Sequence, residues 1–399
     1  MTVLLDSLTL RGGADSALIT LGLGLEATPA AIVLRNGSLR TLENTFRFDL
    51  AARPGDLEHI FRTPEAVPME ADITGDVHVE GLRRLLAQLG AELPQGSPVP
   101  ERWQVRAGFQ GTMRDIDHAG LVLSGDGGTR VNMSGNMHAL DRWPRSNFDL
   151  KVDELTLGTG SRALLLAQLP AGTPLPQRLT LNGTAKGKGG ALQATIDLES
   201  DLGDLSGSGA VSDWSGALPD RIELDMKVAD LAAAKLSGDT ALGPMSFTLV
   251  ADATGLKSTA REGTLTFTPT RLSYHHHDLS SLRLNADVHD DSVHAELKSD
   301  ADAAALDLLV RGRWPEAGDS LAMDLELVLR RLHLDELGLM DQVLRADGRI
   351  TGRLAFLSPT RGRASLQAPG LHLFNDQRSY RAEHFTLNGL LDTDSTAEI

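Results

Sequence analysis

Tyr274-His275-His276-His277-Asp278 packs three imidazoles and a carboxylate into five residues, side chains that make good metal ligands. On a strand His275 and His277 share one face and His276 takes the other, so a compact site needs a further ligand from elsewhere in the chain. The segment is therefore read as a polar turn or strand end, and no metal is expected. Acidic pairs two residues apart recur, as in Asp197/Glu199, Glu223/Asp225 and Asp324/Glu326. A glycosidase needs two carboxylates flanking a cleft. Here apolar residues alternate with the acids, which puts both members of each pair on the wet face of a strand. Gly183 to Gly190 (GTAKGKGG) holds glycines and lysines but lacks phosphate-loop spacing and any hydroxyl after Lys188, and it sits between two strands. It reads as a hairpin loop. Asn36-Gly-Ser, Asn132-Met-Ser and Asn182-Gly-Thr spell glycosylation sequons, and the two Asn-Gly pairs read as turns. No Ser/His/Asp order stands out. Cysteine is absent, which removes thiolate nucleophiles, disulfides and Cys-ligated metals. The expectation is no catalytic residue, no metal, no cofactor and no enzymatic activity.

The charge balance narrows the partners. Against 38 Lys and Arg stand 54 Asp and Glu, a formal net charge of −16. That disfavours nucleic acid, which needs a basic surface, and general attraction to anionic membranes. No run of about 18 apolar residues offers a helical membrane span. The opening MTVLLDSLTLRGG lacks the basic start, apolar core and cleavage site of a signal peptide, and Leu8 to Leu10 already reads as a strand. The chain is expected to be an internal segment of a longer protein.

The elements that would position any functional side chain are strands. In the stretch 194–231, Ile196 and Leu198 alternate with Asp197 and Glu199. After Trp214 and a turn at Pro219-Asp220, Ile222, Leu224, Met226 and Val228 alternate with Glu223, Asp225 and Lys227. Period two with one apolar and one polar face marks half-buried strands. Related units recur at about 121–157 and 293–337, with Trp143-Pro144 and Trp314-Pro315 at matching corners. Near the start, strands are expected at 30–35 and 38–42 about an Asn36-Gly37 hairpin. Further turns are expected at Asp126-Gly127, Asn182-Gly183 and Asp290-Asp291. Helical patches are expected near 56–62, 81–90, 161–169, 230–237 and 333–345. The whole, 1–399, reads as one continuous, degenerate repeat.

The fold class is therefore mainly β: a long antiparallel meander with a few short amphipathic helices. About 25 to 30 strands exceed the ~10 of an ordinary open sheet. Spaced about 4.8 Å apart, they would extend roughly 120–140 Å. Such a sheet is expected to curl or close, and one continuous apolar face would then make a U-shaped trough. An open apolar trough needs an apolar occupant, and acyl chains are the natural one. The residues expected to line it are Phe46, Phe48, Leu150, Val152, Ile196, Leu198, Ile222, Leu224, Met226, Val228, Phe247, Leu249, Leu282, Leu284, Leu321, Met323, Leu325 and Leu327.

These alternating strands, the Gly-Gly-Thr-x-Val-x-Met-Ser-Gly pattern at 127–135, the Trp-Pro turns and the Leu-rich helices ending in Leu-Pro together resemble the AsmA-like superfamily, including its TamB (translocation and assembly module) branch. The resemblance covers nearly the whole chain and rests on pattern, with no signature residue. It implies a β-taco groove like that of bridge-like lipid transfer proteins, in the periplasm of a diderm bacterium, anchored to the inner membrane through a segment not present here. It implies phospholipid as cargo and help in outer-membrane biogenesis. An Omp85-type outer-membrane protein is the implied partner, through regions outside this segment. Two other readings are an outer-membrane protein assembly factor and a structural or adhesive β-solenoid. The solenoid requires stacked parallel strands without hairpins, against which the tight turns argue.

Overall fold

Alternating sequence favours extended segments, and two-residue turns fold each one back on the last. A computed structural model of the chain has this organisation. It describes residues 2–10, 19–28, 30–41, 43–55, 62–78, 80–81, 102–139, 146–166, 169–170, 173–214, 219–258, 260–313, 321–358 and 361–392. The protein is mainly β, and the chain divides into two units, Met1–Asp201 and Leu202–Ile399.

The first unit contains β1 (Thr2–Leu10), β2 (Ile19–Ala27), β3 (Ile32–Arg40), β4 (Thr45–Ala52), β5 (Met69–His78), β6 (Arg102–Gly111), β7 (Ile116–Gly125), β8 (Arg130–His138), β9 (Asn147–Thr156), β10 (Leu179–Lys188) and β11 (Ala191–Ser200). Each strand pairs antiparallel with the next in sequence. One short helix, α1 (Thr159–Leu166), interrupts the meander between β9 and β10.

The second unit contains β12 (Asp204–Ser212), β13 (Arg221–Leu231), β14 (Met245–Thr254), β15 (Glu262–Arg271), the two-residue strands β16 (Ser273–Tyr274) and β17 (His277–Asp278), β18 (Arg283–His289), β19 (Ser292–Asp300), β20 (Ala304–Arg313), β21 (Leu321–His333), β22 (Arg345–Ser358), β23 (Arg361–Ala368), β24 (Leu371–Phe374), β25 (Ser379–Ala382) and β26 (Phe385–Asp392). β12 to β15 and β18 to β22 form another antiparallel meander. β22 is long enough to pair with both β23 and β24, and β25 and β26 fold back on those two. A five-residue helix, α2 (Ala233–Ser237), follows β13 and stops at Gly238, whose φ of 78° places it in the left-handed region. In neither unit does the last strand return to pair with the first among the described residues. Parallel stacking, on which the solenoid reading depends, is not found among the described strands.

Several local expectations are corrected. Asn36-Gly37 is no hairpin. β3 runs straight through it, with a bulge in its pairing to β4 between Leu34 and Gly37. Asn36 adopts φ 50°, and its amide donates to Asp49 Oδ1 at 2.8 Å, so a side chain on the neighbouring strand holds the kink. Asn182-Gly183 lies within β10. The turn falls at Gly189-Gly190, both at positive φ (60° and 93°), as a primed two-residue turn requires. The helix expected near 230–237 begins only at Ala233. β13 continues to Leu231 through a kink at Asp230 (φ 49°). At 333–345 there is no helix: β21 reaches His333, and turns follow. Leu337 is instead buried against Ala303 and Ala304, with Tyr274, Leu279 and Leu332 packed around them. The patch near 161–169 matches α1. Most of 56–62 and 81–90, together with Trp143-Pro144 and Trp314-Pro315, lies outside the described residues.

Neither unit has the thick core of a layered domain. Among the described residues, buried apolar side chains are few and about half of them are alanines, with Val77, Val228, Leu272, Leu329 and Leu337 among the larger ones. The apolar strand faces are half-buried, screened by neighbours within the sheet.

Candidate functional site

Strand register turns isolated apolar positions into continuous rows. In the second unit Met226 lies opposite Leu249, Leu249 opposite Phe267, Phe267 opposite Leu284, Leu284 opposite Leu297, Leu297 opposite Leu308, Leu308 opposite Leu327 and Leu327 opposite Ile350. The adjacent row on the same face runs from Leu224 through Ala251, Leu265, Ala286, Ala295, Val310, Leu325, Gly352 and Leu366 to Leu387. It crosses ten strands, which is about 43 Å at the usual spacing. A third row carries Ile222 and Met323. No residue in these two spelled-out rows is charged or polar.

The first unit repeats the arrangement. Phe48, Ile73, Ala107, Leu121, Met133, Val152, Gly183 and Ile196 form one row from β4 to β11. Phe46 starts the next row, which ends at Leu181 and Leu198. Leu150 belongs to a third, opposite Gly135 and Ala185.

Of the residues expected to line a groove, Phe46, Phe48, Leu150, Val152, Ile196 and Leu198 thus share one face of the first unit. Ile222, Leu224, Met226, Val228, Phe247, Leu249, Leu284, Met323, Leu325 and Leu327 share one face of the second. Val228 is opposite Phe247. Leu282 is not on a strand: it is half-buried in the turn before β18. Leu321 opens β21, but its side chain is outside the described residues. Alternation alone left out Phe267, Leu297, Leu308, Val310 and Ile350, which the rows require. Each shows period two on its own strand, but its membership in a row depends on the partner's register.

Glycines level this surface. Phe48 is directly opposite Gly37, Phe46 opposite Gly75 and Phe148 opposite Gly187, and a Cβ on any of these glycines would run into the ring. Each ring lies across the neighbouring strand of its own sheet.

The reverse face is polar and ion-paired. Glu223 and Asp225 are exposed there. Arg221 pairs with Glu223 and lies 3.8 Å from Asp252, while Arg353 lies 3.8 Å from Asp324 and Arg349 2.5 Å from Glu326. The carboxylate pairs expected on the wet face are there. A shallow concavity of about 450 Å³ on β4 to β7 is lined by Arg47, Thr74, Gln104, Arg106 and Ser124 with Asp76, a set of mixed charge and hydroxyls.

Tyr274 to Asp278 forms a tight hairpin, β16 to β17, with His275 and His276 at its tip in the left-handed region (φ 45° and 69°). His277 Nδ1 is 3.6 Å from Glu336 Oε2, and His333 Nδ1 is 2.8 Å from Glu336 Oε1. No cluster able to hold a metal ion is found among the described residues. Hydrogen bonds from the Ser280 hydroxyl and amide hold the Asp278 carboxyl below its ordinary pKa. On the strand faces, the hydrogen bond and charge of Glu262 raise His289, while Lys298 lowers Glu296 and is itself raised by it. His289 and Glu262 face each other across β15 and β18, Glu296 and Lys298 are neighbours along β19, and Asp278 and Ser280 share one turn, so each shift has an exposed local partner.

The Gly-Gly-Thr segment has a structural role invisible in the pattern. Gly127 carbonyl accepts from Thr159 N at 3.1 Å, and Thr129, 3% exposed, donates its hydroxyl to Ser161 Oγ at 2.9 Å. The β7–β8 turn thereby clamps the first turn of α1.

No described helix is long and apolar enough to cross a membrane. Comparison of the chain with protein-family models, with curated proteins and with solved structures finds no match.

Proposed function

We propose that the chain is a segment of a periplasm-spanning protein that carries phospholipid between the inner and outer membranes along an apolar groove. In this reading the sheet curls about its apolar face into a U-shaped trough. The rows of Leu, Met, Phe and Val form its floor, and acyl chains replace water against them while head groups stay at the open side. An inner-membrane anchor and an Omp85-type partner would lie in regions beyond this segment. No covalent chemistry is involved.

The observation that carries the reading is the continuous, half-buried apolar face. In the second unit three rows about 20 Å deep and 43 Å long amount to on the order of 900 Å². Soluble monomers rarely leave contiguous apolar patches beyond a few hundred Å² without a partner. A long face that is uniform from strand to strand suits a mobile chain-like ligand better than a single small molecule held by a few polar groups.

Native mass spectrometry of the purified chain, paired with organic extraction, tests this. Co-purified phospholipid that survives gentle desolvation is expected. Absence of phospholipid from both the spectrum and the extract overturns the reading.

A further inference from the structure

We propose that phospholipid tails lie along the strands of the second unit in one direction, with head groups beside Arg261 and tail ends toward Leu329 and Leu337. This rests on the lipid reading and adds an orientation to it.

The two ends of these strands differ. Where β13, β15 and β21 end, the connections are long, covering 232–244, 272–282 and 334–344. They are joined side by side. The His275 amide donates to the Ala241 carbonyl at 2.9 Å and the Gly243 amide to the Ser273 carbonyl at 3.0 Å, while a Cβ on Gly338 would run into the His275 ring. Tyr274, Leu279 and Leu337 from these connections gather with Ala303, Ala304 and Leu332 in one cluster. Ala304 lies opposite Leu332 and, two residues before Leu306, shares its apolar face, so the connections fold over that face. Burial follows. In the row nearest them, Val228, Pro269, Ser299 and Leu329 are buried, with Phe247 and Leu306 between. In the row nearest the other end, Ile222, Ala253, Gly263, Val288, Val293 and Gly312 are all half-buried.

At that other end, where β13, β15 and β19 begin, charges of both signs stand beyond the row. Asp220 Oδ1 accepts from the Lys257 amide at 3.1 Å, and Arg261 Nη1 donates to Asp291 Oδ1 at 2.8 Å. The Arg261 side chain, two residues before Gly263, is only 13% exposed. The ion pairs at the loop-bearing end, Arg271 with Asp230 and Arg331 with Asp302, are exposed on both members. A guanidinium closing an apolar row suits a lipid phosphate, and the carboxylates beside it suit a head-group cation. From Ile222 to Val228 the strand covers about 20 Å, against the roughly 15 Å of one bilayer leaflet, so a tail that starts near Arg261 runs toward the buried row. Laid the other way, the lipid would press its charged head group against Val228, Pro269 and Leu329, where nothing replaces its water.

The full chain, loaded with phosphatidylcholine that carries a nitroxide on either the head group or the tail end, tests the orientation through paramagnetic broadening of assigned methyl signals. The head-group label should broaden Val288 and Val293 several-fold more than Leu306 and Leu329. The tail-end label should do the reverse. Equal broadening of the two pairs, or the opposite pattern, overturns the orientation while the lipid reading stands. No broadening by either label overturns both.

Discussion

The ring of Phe148 lies over Gly187, its direct partner across the β9–β10 pair, and occupies the space a Cβ would take. In a layered protein a phenylalanine is covered by an opposing element. Here it gains its cover from the adjacent strand of the same sheet, and the glycine is what makes room.

Gly187→Ala should therefore destabilise the first unit by about 1–3 kcal/mol, the usual cost of forcing extra volume against a packed side chain. In a Phe148→Ala background the same change should become neutral or slightly favourable, since glycine inside a strand costs about 0.5–1 kcal/mol relative to alanine. Urea unfolding of the four proteins in this cycle measures the coupling. Equal cost in both backgrounds would show that the ring is not what the glycine accommodates.

If acyl chains occupy the apolar rows, a charge within a row should act where a charge on the reverse face does not. Leu224→Asp or Met226→Arg should cut the phospholipid that co-purifies by several-fold. Glu223→Lys, one residue away on the exposed face, should leave it near the parental amount. Lipid phosphorus per chain is the readout, and equal loss from both kinds of change would count against the groove.

Asn44 links the β3–β4 turn to the end of β5. It is 1% exposed, and its side-chain oxygen accepts from the His78 amide at 2.7 Å. Asn44→Ala leaves a main-chain donor without its acceptor and should cost about 1–3 kcal/mol. Hydrogen exchange at the His78 amide should accelerate in step, which separates loss of this bond from general loosening.

The His289 imidazole is raised above 6.5, first by its hydrogen bond to Glu262 at 2.6 Å, then by the charges of Glu262 and Asp290. A raised imidazole stabilises the fold fully below the unfolded value of about 6.5, and that contribution fades as pH rises through the folded value. A proton NMR titration should place the His289 midpoint above 6.5, and Glu262→Gln should lower it. No change in the midpoint would show that the contact is not kept in solution.

Alternation between residues such as Ile222, Glu223, Leu224 and Asp225 was enough to name the strands and their two faces. Both follow from backbone geometry that one segment carries by itself. The turn at Asp290-Asp291 was legible for the same reason. Other turn signals were not decisive. Asn36-Gly37 suits a hairpin locally, but Asp49 binds the Asn36 amide and the Phe48 ring needs Gly37 beneath it, so β3 continues. The Leu-rich stretch after His333 suits a helix, but Leu337 gains more by burial on Ala303 and Ala304. Each of those partners lies on another strand or loop and is fixed only once strands pair. The rows from Leu224 to Leu387 belong to the same class. Residue types decided which side chains are apolar, while hydrogen-bond register between successive strands decided that they line up. Register is a property of two segments together, which no single stretch of sequence contains.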